Sequence, residues 1–227
     1  MTQTALHFHE YSDFAALSTA LSQQWLNLIQ DTPQASSFAL AGGSTPAPVY
    51  QAMDKLLAAS TPAQPVKLVA TDERWVPDAD SQSNEGLFRR SLALSAEARR
   101  WQLISLKNAS SSAEIATEAI HTRLQAELPD AFDAVLLGMG ADGHIASLFP
   151  GAPTQHDELA CLAAVHPQTR QCRMSLSLPR LLNTRRIWLV ITGAEKRAVL
   201  DSAQQQGLPV AALLQQAQCD IDVYWCP

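Results

Sequence analysis

Histidine titrates near neutrality, and His144 sits where that property has a use. It closes Gly138-Met-Gly-Ala-Asp-Gly-His144, a segment that follows the uninterrupted apolar run Ala134–Leu137. A loop of this kind presents Asp142 and His144 at the carboxyl end of a strand, where His144 can activate water as a general base. Anion chemistry is written elsewhere. Gly42-Gly43-Ser44-Thr45 follows the apolar Phe38–Ala41 and precedes Pro46. The two glycines let backbone approach a ligand, and Ser44 and Thr45 add hydroxyl donors. Thr45 suits a helix N-cap and Pro46 the first helical position. No acid occupies that first turn, so the positive helix end is open to an external anion.

Asp72-Glu73-Arg74 places three charges directly after the apolar stretch 66–71. Arg74 can hold an anionic oxygen, and Asp72 can orient a side chain or a substrate hydroxyl. Arg173 begins a later strand pattern, and Lys196 falls at the start of a helix pattern. A cation there opposes the dipole unless an anion sits between them. Each feature has a plainer reading. The di-glycine segment could be an ordinary strand–helix turn, and 72–74 a solvated loop with local ion pairs. His144 could be a structural histidine, and Lys196 a surface charge.

Three tempting motifs are set aside. Gly138–Gly143 spells G-x-G-x-x-G, but Pro150-Gly151 cuts the following segment short. No acidic residue ends a second apolar strand about 20 residues on, so dinucleotide binding is not expected. Ser147, His144 and Asp142 lie too close in sequence for a triad, and no G-x-S-x-G is present. His7 and His9 share one strand side, yet no ligand set completes a metal site.

The elements that must position these groups can be read from periodicity. A strand is expected over 4–9 and an amphipathic helix over 12–30, carrying Phe14, Leu17, Leu21, Trp25 and Leu28. The strand 38–41 leads to a helix over 46–58, the strand 66–71 to a helix near 84–94 begun by Ser83-Asn84. Ser111-Ser-Ala-Glu114 reads as a capping box for a helix bearing Ile115, Ile120, Leu124 and Leu128. The run 134–137 reads as a central strand buried on both faces. Strands over 173–177, 187–191 and 221–225 and a helix from Ala194 complete the pattern. The alternation predicts an α/β fold: a doubly wound, mainly parallel sheet with helices on both faces. Ligands in such sheets bind beyond the carboxyl ends of the strands, where these motifs fall.

Bulk properties narrow the class. The 227 residues show no composition break, so one domain over 1–227 is expected. A hydrophobic share of 47% is ample for a core. Net charge −6 argues against nucleic acid or an acidic membrane as partner. No leader peptide or membrane-length apolar run is legible. Cys161, Cys172, Cys219 and Cys226 form no C-x-x-C pair, as expected of reduced thiols in a cytoplasmic protein.

Taken together, the segments resemble the 6-phosphogluconolactonase family. The resemblance runs through most of the chain: Ala41–Pro46, Thr71–Pro77 with Ser83-Asn84, Leu137–His144 continuing to Gly151, Arg173 before Met174–Pro179, Asn183, and Gly193–Lys196. It implies hydrolysis of 6-phospho-D-glucono-1,5-lactone to 6-phospho-D-gluconate, the second step of the oxidative pentose phosphate pathway. It implies His144 as the base and the cations as phosphate ligands, with no metal or cofactor. On this reading the Gly42–Thr45 amides, Arg173 and Lys196 anchor phosphate. Asp142 or Asp72 orients the imidazole, and Arg74 or loop amides stabilise the oxyanion. The partner is then a phosphorylated sugar lactone, and the chain a monomer or weak homodimer. The wider superfamily also holds glucosamine-6-phosphate deaminases, similar around Asp72 and Asp142-Gly-His144. Ile145 is more like those enzymes, since lactonases usually have threonine there. Deaminases carry a glutamate shortly after the histidine, where this chain has Phe149. Asp80 also departs, standing where lactonases commonly have histidine. Two rival readings remain: an amino-sugar phosphate deaminase or isomerase, and a non-catalytic sugar-phosphate sensor.

Overall fold

The computed structural model describes residues 5–32, 35–59, 65–92, 101–152 and 158–227. A seven-stranded sheet forms its centre. In chain order its strands are β1 (Leu6–Glu10), β2 (Ser37–Leu40), β3 (Val66–Ala70), β5 (Trp101–Leu103), β6 (Ala134–Gly138), β9 (Ile187–Thr192) and β10 (Ile221–Cys226). Their spatial order is β1-β10-β9-β6-β2-β3-β5, and every pairing is parallel. From β2 the chain winds outward through β3 to β5, then returns to β6 on the other side of β2 and continues to β9 and β10. The connections after β2 and β6 therefore diverge, and a crevice opens at their carboxyl ends.

The helices are α1 (Phe14–Asp31), α2 (Ala47–Ala58), α3 (Asn84–Ser91), α4 (Ala113–Glu127), α5 (Leu178–Leu182), α6 (Ala194–Gln206) and α7 (Pro209–Gln216). Right-handed crossovers put α1, α2 and α3 on one face and the later helices on the other. Accordingly α1 packs on α2 and α2 on α3, whereas α6 packs on α7. The apolar stripe of α1 buries Leu17, Leu21, Trp25 and Ile29. Trp25 lies 5.3 Å from Phe38, the buried aromatic of β2. Asp13 starts the helix by accepting a hydrogen bond from the Ala16 amide at 2.9 Å.

The doubly wound parallel sheet is as the alternation predicts. Several local expectations are corrected. Asp72–Arg74 is no loop: it forms β4, in a second, antiparallel sheet of order β4, β8 (Cys172–Leu176), β7 (Cys161–Val165). The strand expected over 173–177 is β8 of that small sheet. Charge hid β4, because a strand is recognised by its apolar residues. The capping box is offset by one: Ser112 caps α4 by accepting from the Ile115 amide. Ile115 consequently points outward and is 67% exposed, while Ile120 and Leu124 are buried. Thr45 is not an N-cap: Pro46 holds that position without a side-chain cap. The short elements β5, α5 and α7 gave too little periodicity to be read. Residue 4 and the last two positions of the helix expected over 84–94 lie outside the described residues. No helix among the described residues is long and apolar enough to cross a membrane.

Candidate active site

A cavity of about 290 Å³ occupies the crevice between the β2 and β6 ends. Gly42, Gly43, Ser44 and Thr45 line it, with Asp72, Arg74, His144, Arg173 and Lys196. Asp142 stands behind His144 rather than in the lining. The small antiparallel sheet supplies Asp72, Arg74 and Arg173, α6 supplies Lys196, and the loops after β2 and β6 supply the rest.

The turn after β2 is held from below. Tyr50 of α2 donates from its hydroxyl to the Ala41 carbonyl at 2.5 Å. Beyond Ala41, the amides of Gly42, Gly43, Ser44 and Thr45 have no hydrogen-bond partner among the described residues. Such a run of free N–H groups at the carboxyl end of a central strand is of the kind that can receive an anion.

The loop after β6 is closed on itself. The Gly140 amide donates to the His144 carbonyl at 2.9 Å, and the Gly143 amide to the Gly140 carbonyl at 3.0 Å. Gly140 admits no side chain, since a Cβ there would overlap the His144 imidazole and the Asp142 carboxylate. Gly140 of the rejected dinucleotide motif thus serves the histidine. His144 Nδ1 lies 2.5 Å from Asp142 Oδ1. Burial disfavours ionisation of Asp142, but the hydrogen bonds and charge of His144 together outweigh it and hold the carboxyl below its ordinary value. An ionised carboxylate only accepts, so the ring proton sits on Nδ1 and Nε2 is left as the basic nitrogen. The His144 side chain is 25% exposed, enough to meet water. Phe149 packs on the ring with centroids 5.0 Å apart. Ala146, beside the site, adopts φ 49°, a conformation uncommon outside glycine.

Asp72 is committed elsewhere, which removes it as a partner of the imidazole. Its Oδ2 accepts from Ser147 Oγ at 2.6 Å and from Arg173 Nη1 at 3.2 Å. Ser147 is thereby tied to Asp72, not to His144, so the three triad residue types do not form a triad. Arg74 and Arg173 are directly opposed in the β4–β8 ladder. Like charges in that relation repel, and a bound anion would relieve them. Lys196 lies in the first turn of α6 and half-buried; burial lowers its pKa from the ordinary lysine value.

Two buried acids sequence reasoning passed over support this ledge. Glu73 is wholly buried and accepts from the amides of Arg74, Asn84 and Glu85 at 2.7, 2.8 and 2.7 Å. It thus satisfies the start of α3 and fastens it to β4. Glu85 accepts from Ser105 Oγ and the Leu106 amide. Burial, reinforced by the charge of Glu73, pushes its carboxyl from the ordinary 4.5 up to about 7. Between those values the folded chain holds a proton that the unfolded chain has lost, so this group makes stability fall as pH rises through that window. Glu85→Gln should remove the slope. Its stability advantage over the parent should grow by up to about 3 kcal/mol between pH 4 and pH 8 in urea titrations. Parallel pH profiles for the two proteins would refute this.

His7 and His9 face Asp220 and Asp222 at 3.5 and 2.7 Å, on the β1 edge far from these loops in topology. All four cysteines are free thiols.

Fold and site together define an α/β enzyme of the doubly wound class, with a histidine-bearing cationic cavity at the crevice of its sheet. Residues 12–225 match the family model described as glucosamine-6-phosphate isomerases/6-phosphogluconolactonase. A 6-phosphogluconolactonase of Caulobacter vibrioides is 40% identical over 196 residues, covering 83% of this chain and 82% of the relative. One from Treponema pallidum is 31% identical over 200 residues, covering 86% and 82%. The crystal structure of a 6-phosphogluconolactonase from Shewanella baltica aligns with TM-score 0.87 at 29% identity, covering 100% of this chain and 99% of that one. A monomeric glucosamine-6-phosphate deaminase shares the fold at TM-score 0.80 and 17% identity. The chain belongs to the glucosamine-6-phosphate isomerase/6-phosphogluconolactonase family.

Proposed function

We propose that this chain hydrolyses 6-phospho-D-glucono-1,5-lactone to 6-phospho-D-gluconate, using His144 as general base. The observation that carries the reading is an imidazole fixed at Nδ1 by Asp142, its Nε2 left for water, in one cavity with Arg74, Arg173, Lys196 and the free Gly42–Thr45 amides. His144 Nε2 takes a proton from water as the oxygen adds to C1. The tetrahedral oxyanion collapses, the C1–ring oxygen bond breaks, and the imidazolium returns the proton to the departing ring oxygen. A lactone ester is already activated, so a base and fixed donors suffice.

Sequence leaves the oxyanion to Arg74 or the loop amides. The opposition of Arg74 and Arg173 favours placing both cations, with Lys196, on the phosphate, and leaving the oxyanion to loop amides. Holding the remote phosphate orients the carbonyl for attack. Phe149 against His144 argues for the lactonase over the deaminase branch, because no acid stands there to handle an amine. The reading also makes 1–227 one catalytic unit, a cytoplasmic monomer or weak homodimer without nucleic-acid or membrane partners.

The test is 6-phosphogluconate formation from freshly generated lactone, measured above the spontaneous background. Ammonia release from glucosamine-6-phosphate would move the chain to the deaminase branch. Saturable 6-phosphogluconate binding without lactone hydrolysis would make it a sensor.

A further inference from the structure

Asn84 looks from sequence like an ordinary helix starter, yet its side chain is not used to cap the helix. Ser83 Oγ accepts from the Gly86 amide, and Glu73 accepts from the amides of Asn84 and Glu85. The Asn84 carboxamide is spent elsewhere. Its Oδ1 accepts from Arg74 Nη1 at 2.9 Å, and its Nδ2 donates to the Asp72 carbonyl at 2.7 Å. It also lies directly beneath the di-glycine turn, where a Cβ on Gly42 would overlap the carboxamide. Asn84 is 1% exposed and does not line the cavity.

We infer that Asn84 is a positioning residue, locking the Arg74 guanidinium between β4 and the Gly42–Gly43 turn so that it meets the substrate phosphate. The inference rests on the phosphate role proposed for Arg74. Only a carboxamide fits both contacts, since the Asp72 carbonyl needs a donor and the guanidinium an acceptor. Aspartate would set an acceptor oxygen against that carbonyl and place a negative charge beside Arg74. Without Asn84, the only other hydrogen bond of the Arg74 guanidinium among the described residues is from Nη1 to the Gln82 carbonyl, at 2.6 Å. Arg74 Nε is buried with no hydrogen-bond partner among the described residues, so no described residue restrains the side chain at that nitrogen.

The experiment is a double-mutant cycle of Asn84→Ala and Arg74→Ala, with Asn84→Asp as a second, isosteric variant. Steady-state KM and kcat on fresh lactone are read, with inhibition by inorganic phosphate and a thermal melt for each protein. A hydrogen bond to a charged group sets the scale. Asn84→Ala and Asn84→Asp should each raise KM and the phosphate inhibition constant by about 10-fold, with kcat within about 2-fold. In the Arg74→Ala background the same changes should add less than about 2-fold. Equal losses in both backgrounds, with the Arg74→Ala effect intact, would overturn the role of Asn84 alone. An unchanged KM in Arg74→Ala would overturn the phosphate reading and this inference with it. If Asn84→Ala does not fold, the comparison of Asn84→Asp across the two backgrounds decides.

Discussion

His144→Ala should lower kcat by about 10²-fold or more, with KM little changed. The imidazole is the cavity's general base in this mechanism, and phosphate anchoring is carried by other residues. Fold should survive, because the ring is partly exposed and its loop is closed by backbone hydrogen bonds from Gly140 and Gly143. The residual rate should follow hydroxide concentration, since water then has no base to assist it. Asp142→Asn extends the argument. An asparagine amide can donate to Nδ1 and so favour the tautomer with its proton on Nε2, the nitrogen that must be free. That variant should also lose kcat while retaining substrate affinity. Rates are compared after subtracting spontaneous hydrolysis. Turnover near the parental value in His144→Ala would remove this residue as the base.

The three motifs that promised chemistry converge because each follows a strand of one parallel sheet, and the crevice between β2 and β6 is fixed by winding direction. The parallel sheet and the motifs at its strand ends were legible; the strand order that opens the crevice between β2 and β6 was not. What the sequence hid was pairing. Arg74 and Arg173 are cross-strand neighbours, yet no local pattern links them, and the charges of β4 disguised it as a loop. Asp72 was open to two roles because its partners, Ser147 and Arg173, come from distant segments. Asn84 was invisible for a similar reason: asparagine beside serine reads as a helix start, and only the contact with Arg74 separates positioning from capping. Gly140 shows the reverse case. Its place in a dinucleotide-like pattern was noticed, but its reason, contact with His144, required coordinates. The offset at Ser112 is simpler, since two adjacent serines offer two caps and packing of Ile120 and Leu124 chose between them.

On the proposed function Arg173 joins binding to stability, so its removal should show two separable losses. Its side chain is 10% exposed and meets Asp72, 8% exposed, at 3.2 Å. Burial lowers the arginine's pKa and the charge of Asp72 opposes that shift. Arg173→Ala strands Asp72 as a buried carboxylate whose remaining hydrogen bonds among the described residues come from Ser147 and Asn84. Breaking a buried pair in this way costs about 3 kcal/mol, or a Tm drop of roughly 6–12 °C for a chain of this size. KM should rise by about 10²-fold, as expected when a cation holding a phosphate is lost. Adding Asp72→Asn should return much of the lost Tm, because the stranded charge is gone, while KM stays high, because no cation has been restored. If the double variant regains substrate affinity along with stability, Arg173 serves the fold alone. If Arg173→Ala leaves KM unchanged, the phosphate sits elsewhere in the cavity.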